Sequence, residues 1–120
     1  MARASSLHRV LNVLERSPIG IMPEGRGSGH LIEPPAGSGI FLSILAHRGF
    51  PIYPLGIWEE EKTLELRLGK PFTFSLPHEV SRDVQDRLAR EQAMVAVGRL
   101  LPEEYWGDYR DAIEASLHAQ

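Results

Sequence analysis

The sequence predicts an α/β domain in which helices flank a mixed sheet. Three patterns indicate this fold class: apolar residues with helical spacing near both ends of the chain, two apolar runs separated by a helix-length segment, and leucines that alternate with charged residues over 64–68. With 120 residues and 42% hydrophobic side chains, the chain can build one modest core. We therefore expect residues 1–120 to form a single domain or part of one.

The first predicted elements are a helix and a short strand. Apolar side chains spaced three and four apart form one helical stripe at Leu7, Val10, Leu11 and Leu14. The helix should end before Pro18, because the residue before a proline is biased away from helical torsion angles. A buried strand is then expected over 19–22, and Pro23 stops it because proline has no amide hydrogen to donate.

A parallel strand-helix-strand unit is predicted in the middle of the chain. The run IFLSILAHRG is apolar on nearly every side and ends at Gly49, the position of a helix C-cap. A second strand is expected over 52–58, joined to 19–22 by this helix as a right-handed crossover. Leucines that alternate with Glu65 and Arg67 then predict an antiparallel hairpin partner with one face in solvent. The sheet is therefore mixed.

Two further helices are predicted in the C-terminal third. Ser81 or Asp83 should open the longer one. Oppositely charged residues four apart, such as Asp86 and Arg90, are expected to decorate its solvent face. Asp108 is expected to cap the last helix.

Composition argues against several classes of function. The net charge of -3 argues against a nucleic-acid partner, and the absence of cysteine removes thiol nucleophiles, disulfides and thiolate metal sites. His8 and His118 lie on predicted helices with no second ligand nearby, so no metal site is expected. No apolar run approaches the roughly 20 residues that span a bilayer. We expect a cytoplasmic protein, with peripheral contact at the inner face of the membrane as the alternative.

The turn that follows Pro23 is the candidate site. Glu24 and Arg26 supply a carboxylate and a guanidinium, and the glycines around them leave backbone amides open to a bound anion. Arginine suits bidentate recognition of phosphate. The alternatives are a turn carboxylate satisfied by neighbouring amides, an exposed arginine, and a Ser28 hydroxyl that bonds within its own turn.

Four motifs and a tail carry a resemblance to a known family. In chain order they are IGIMPEGRGS at 19–28, PAG at 35–37, PIYPLGI at 51–57, LGKPF at 68–72 and LLPEEYWGDY at 100–109. Together they resemble the second half of the phospholipid/glycerol acyltransferase family, the lysophosphatidic acid acyltransferases. The resemblance runs from about Leu7 to Tyr109.

The resemblance implies acyl transfer from acyl-CoA or acyl carrier protein to a hydroxyl of a glycerol phosphate or lysophosphatidic acid. No bound cofactor is implied. Glu24, Gly25 and Ser28 match the family's acceptor-binding turn, and Pro54 matches a proline of the later strand that lines the same site. The family has Thr and then Arg between that glycine and serine, whereas this chain has Arg26 first, so its guanidinium is displaced by one residue.

The family's catalytic His and Asp, which precede the acceptor-binding turn, are missing from this chain. His78 and Asp83 have the right spacing but follow that turn, and they are more simply explained as a solvent-exposed histidine and the start of a helix. The resemblance therefore implies no catalytic residue here.

Three hypotheses remain open from the sequence. The chain is the acceptor-binding half of a glycerolipid acyltransferase and is inactive alone, or a non-catalytic phosphate-binding, lipid-binding or structural module derived from that family, or a hydrolase that uses His78 and Asp83. A half-domain exposes sheet edges and helix faces, so a homodimer or a missing N-terminal half is the expected protein partner.

Overall fold

The structure, a computed structural model, describes residues 4–24 and 29–119. Within them lie four α-helices and one antiparallel β-hairpin. Two 3₁₀ turns, Glu103–Tyr105 and Gly107–Tyr109, connect the last two helices. The elements in chain order are α1 (Ala4–Leu14), α2 (Ser38–His47), β1 (Leu55–Glu60), β2 (Thr63–Leu68), α3 (Arg82–Gly98) and α4 (Arg110–His118). The predicted mixture of helix and strand is therefore present.

Two helix ends form as the sequence predicts. The Ser81 hydroxyl accepts a hydrogen bond at 3.2 Å from an amide in the first turn of α3. At the end of α2, Gly49 adopts a left-handed conformation with φ 93°. The amides of Gly49 and Phe50 donate to the carbonyls of Ala46 and Leu45 at 3.0 and 3.2 Å, which is a Schellman motif.

The main core lies between α3, α4 and the segment that precedes α2. Its buried side chains are Leu31, Met94, Trp106 and Ile113. The Trp106 indole donates at 2.8 Å to the carbonyl of Gly98, at the end of α3. A Cβ at Gly98 would overlap Ile113, so this glycine allows α3 and α4 to pack closely.

The predicted parallel strand-helix-strand unit is not present in the described residues. Residues 19–22 are irregular there and pair with no strand, and 52–54 contributes only an isolated antiparallel bridge between Ile52 and Phe72. Ile21 and Met22 are 42% and 59% exposed, so no neighbouring strand covers the apolar run. A short apolar run becomes a strand only where a neighbour completes its hydrogen bonds, and the described residues supply none.

The hairpin itself is confirmed, but its two faces are reversed from the prediction. Gly56 and Trp58 point to the interior, and a Cβ at Gly56 would lie only 3.1 Å from Leu100. Arg67, on the same face, covers the Trp58 ring with its guanidinium 5.4 Å from the ring centroid. The large indole thus takes the buried side. The opposite side, here called the aliphatic face, is exposed and consists of Leu55, Ile57, Leu64, Leu66 and Leu68.

The predicted cap of α4 is also different. Tyr109 occupies the N-cap position, and no side chain there caps the helix. Asp108 lies in the preceding 3₁₀ turn, and its carboxylate accepts at 3.2 Å from the amide of Glu33. Asp108 therefore links the 3₁₀ turn Gly107–Tyr109 to the segment before α2.

No helix of the described ranges combines the length and the apolar character that a membrane-spanning segment needs.

Candidate functional site

An open groove of about 200 Å³ lies between the segment after α1 and the first half of α2. Its walls are mostly apolar, and a serine at the start of α2 contributes a hydroxyl. The lining residues are Ile21, Met22, Pro23, Pro35, Ser38, Phe41 and Leu42. The Ser38 hydroxyl donates to the Pro35 carbonyl at 2.7 Å, which helps to shape this end of the groove.

Glu24 follows directly on the groove-lining Pro23, in a turn. The residue is half-buried. Partial burial raises the pKa of the Glu24 carboxyl from its ordinary value, and a hydrogen bond to the backbone of Glu24 opposes the rise. A carboxyl group with a raised pKa at the edge of a groove is a candidate for contact with a ligand hydroxyl.

The other predicted site residues are only partly placed. Gly25, Arg26 and Ser28 lie outside the described residues. Pro54 is buried at the base of the hairpin, where its carbonyl accepts at 2.9 Å from the amide of Gly69. Pro54 is not among the residues that line the groove. Glu24 is not among them either, and it is joined to the groove only through its chain neighbour Pro23.

The buried polar side chain beside the start of α2 is Asp86, which the sequence predicted to lie on a solvent face. Asp86 is only 5% exposed. Its two carboxylate oxygens accept from the amides of Gly37 and Ile40, each at 2.9 Å. Asp86 on α3 therefore caps the N-terminus of α2, a role that the residue preceding a helix usually performs itself. Gly37, at the N-cap position with φ 97°, offers no side chain for it.

Arg90 extends this contact towards the segment before α2. Its Nε lies 3.1 Å from Asp86 Oδ2 as an ion pair, although that N–H makes no hydrogen bond. Its terminal nitrogen donates to Glu33 at 2.8 Å and to the Pro34 carbonyl at 3.1 Å. The carboxylate and the guanidinium together hold α2 and its preceding segment against α3.

This arrangement restricts how the groove can bind an anion. The amides at a helix N-terminus are often available to a phosphate. Here the amides of Gly37 and Ile40 already donate hydrogen bonds to the Asp86 carboxylate. Neither of these two amides is therefore free to bind a phosphate in the groove.

The hypothesis of a hydrolase that uses His78 and Asp83 gains no support from the geometry. His78 and Asp83 are both exposed. Asp83 lies in the first turn of α3, as the simpler explanation predicted. No hydrogen bond joins the two side chains in the described part of the chain, and no group of three or more possible metal ligands occurs there either.

A second open pocket, of about 290 Å³, has a mainly acidic lining. Its residues are Glu33, Arg87, Glu91, Asp108, Tyr109, Asp111 and Ala112. Burial, followed by the Glu33 carboxylate, raises the pKa of the Tyr109 phenol to about 12, and the nearby Arg90 charge opposes the rise.

Tyr109 should make stability depend on alkaline pH. The folded-state pKa of about 12 lies above the ordinary value of 10.0, so the unfolded chain loses its phenolic proton first as the pH rises. We expect the free energy of unfolding to fall between pH 10.0 and about 12, and Tyr109→Phe to remove part of this fall. Urea denaturation across this range measures the slope. Identical slopes for the wild type and Tyr109→Phe would contradict the assignment.

Comparison of the chain with protein-family profiles, curated protein sequences and solved structures gave no match.

Proposed function

We propose that the chain is the acceptor-binding half of a glycerolipid acyltransferase and does not catalyse acyl transfer alone. The observation that carries this proposal is the position of Glu24. The Pro-Glu-Gly turn is the central motif of the resemblance, and its glutamate follows directly on the apolar, open groove beside α2. An acceptor with a polar head and an acyl chain suits such a boundary between polar turn and apolar wall.

The chemistry of the acceptor divides the roles of the two charged residues. A phosphate is anionic, so the Glu24 carboxylate is unsuited to bind it and is assigned instead to a glycerol hydroxyl. Arg26 is assigned to the phosphate, because guanidinium binds phosphate oxygens bidentately. The engagement of the Gly37 and Ile40 amides by Asp86 supports this division, since neither amide is then free to bind the phosphate.

Acyl transfer needs a general base that the exposed His78 is not positioned to provide. In the proposal, an N-terminal half supplies the catalytic His and Asp, and acyl-CoA or acyl carrier protein supplies the acyl group. The same half would supply a neighbouring strand for 19–22. The parallel strand-helix-strand unit is thus proposed for the assembled domain.

Glu24→Gln tests the acceptor site directly. We expect the dissociation constant for glycerol 3-phosphate, measured by calorimetric titration, to rise by roughly tenfold, because an amide replaces a charge-assisted hydrogen bond to the hydroxyl. Glu79→Gln is the matched control, since Glu79 is an exposed glutamate in the segment before α3 and has no chain neighbour in the groove lining. Equal affinity in the wild type and Glu24→Gln would remove Glu24 from the site.

A thioester-cleavage assay with lysophosphatidic acid separates the two family-derived hypotheses. The isolated chain should be inactive, and a polypeptide that bears the family's His and Asp should restore acyl transfer when added. Activity of the isolated chain would refute the proposal. Acceptor binding without activity after that addition would instead identify the non-catalytic binding module.

A further inference from the structure

The aliphatic face of the hairpin is a contiguous apolar surface that the described structure leaves uncovered. Its five side chains are 42–66% exposed, and they occupy three successive cross-strand rows. In these rows Leu55 pairs with Leu68, Ile57 with Leu66, and Glu59 with Leu64. Residues of one row lie on the same side of an antiparallel sheet, so the face is continuous. A contiguous apolar patch of this kind marks an interaction site.

Charges of opposite sign bound the two ends of the aliphatic face. The turn end carries Glu59 on the face itself, with Glu60 and Glu61 next to it. At the open end, Lys70 lies two residues beyond Leu68, just after β2 ends. Gly69 between them faces Leu100 on the interior side, which leaves Lys70 on the outer side. Both Glu59 and Lys70 are exposed.

We propose that the aliphatic face is the interface of a homodimer in which two hairpins pack face to face in antiparallel orientation. A two-fold axis across the strands places the turn end of one copy over the open end of the other. Glu59 then lies over the open end of the second copy, where Lys70 is exposed, twice by symmetry. A parallel arrangement would bring the Glu59 carboxylates of the two copies together, so the charges select the antiparallel one.

The size of the face agrees with a dimer of this kind. Five aliphatic side chains with these exposures present roughly 500 Å² of apolar surface in each copy. Contact between two copies buries about twice that area. The total reaches about 1,000 Å², the minimum buried area of a specific interface. Two small sheets stacked in this way acquire an apolar layer that neither hairpin has alone. The dimer does not depend on acceptor binding.

Leu66→Glu tests the interface in the complete chain. Leu66 lies in the middle row and is 60% exposed, so the substitution should leave the fold intact, which circular dichroism checks. Because the dimer contains the change twice, we expect sedimentation equilibrium to show a rise of roughly a hundredfold or more in the dissociation constant of the dimer. Leu117→Glu, at a leucine on α4 that is 42% exposed, is the matched control and should leave the dimer unchanged.

A charge exchange tests the orientation. Glu59→Lys and Lys70→Glu should each weaken the dimer by about fivefold, because each creates two like-charge contacts. The double variant should restore the dissociation constant to within about twofold of the wild type. Failure of the double variant to recover would overturn the antiparallel arrangement.

Other occupants of the face give different results in the same experiments. A wild-type chain that remains monomeric at concentrations of about 100 μM, or a dimer unaffected by Leu66→Glu, would overturn the proposal. Binding of a monomeric wild type to phosphatidylglycerol vesicles, lost in Leu66→Glu, would assign the face to a lipid surface. A monomeric wild type could instead bind the polypeptide that bears the family's His and Asp. If Leu66→Glu abolished that binding, the aliphatic face would be assigned to the proposed N-terminal half.

Discussion

Asp86→Ala is expected to lower the free energy of unfolding by about 2–4 kcal/mol, because it removes the acceptor of two amides at the start of α2 and one of the two carboxylates paired with Arg90. The change leaves the amides of Gly37 and Ile40 without their acceptor. It also leaves the guanidinium of Arg90, whose side chain is only 13% exposed, without the carboxylate at 3.1 Å. The N-terminus of α2 loses its cap at the same time, so the groove wall should loosen together with the fold.

Urea denaturation of three variants separates these effects. Asp86→Asn keeps one oxygen acceptor but loses the charge, and should cost about half as much as Asp86→Ala. Asp83→Ala is the matched control, since Asp83 is an exposed aspartate on the same helix and should cost less than about 1 kcal/mol. If Asp86→Ala cost no more than Asp83→Ala, the cap across the two helices would not contribute to stability.

Gly39→Ala is expected to destabilise the chain by about 2–4 kcal/mol through overpacking between α2 and α3. A Cβ at Gly39 would overlap the backbone oxygen of Asp86, and it would lie 2.7 Å from the Arg90 amide nitrogen and 2.9 Å from Ala89 Cβ. Two of these neighbours are backbone atoms, which cannot rotate away. Helix α2 would have to move outward, and its hydrogen bonds to the Asp86 carboxylate would lengthen.

Helix propensity alone predicts the opposite sign for Gly39→Ala, since alanine is favoured over glycine within a helix by about 1 kcal/mol. Thermal unfolding therefore distinguishes close packing from propensity. Gly20→Ala is a suitable control, because nothing lies within 4 Å of a Cβ at Gly20. A Gly39→Ala variant that is as stable as the wild type or more stable would show that α2 and α3 have room between them for a methyl group.

The elements that the sequence predicted correctly depend on local signals. The stripe of α1, the serine that opens α3 and the glycine that closes α2 each act within one or two turns of a helix. The alternating leucines of β2 likewise identified a strand of the hairpin. These patterns need no knowledge of what packs against them.

The predictions that the described residues do not show, or show differently, concern packing between elements. The run over 19–22 is apolar enough for a strand, but strand formation depends on a neighbour that its own residues cannot specify. In the hairpin, the alternation showed which residues share a face but not which face is buried. The buried face is the one that carries the large Trp58 indole. An Asp and an Arg four residues apart give the same sequence pattern whether they face solvent or pack against another helix. The buried capping role of Asp86 was therefore not predicted. The buried small residues Ala89 and Ala93, on the same helix, were the available signal.

The candidate site stays a prediction, because only Glu24 and Pro54 of its residues are described. Glu24 follows Pro23, which lines the groove, but Glu24 itself is not a lining residue. Pro54 does not reach that groove, and its burial beside Gly69 reflects the start of the hairpin.

The acceptor-binding proposal is tested most directly by nuclear magnetic resonance titration of the chain with glycerol 3-phosphate. We predict saturable shifts in the amide resonances of the groove, at Ile21, Met22, Glu24, Ser38 and Phe41, while the amides of β1 and β2 remain unchanged. Shifts confined to other parts of the chain, or none at roughly 10 mM ligand, which corresponds to binding weaker than about -3 kcal/mol, would contradict the assignment of this groove to a glycerol phosphate acceptor.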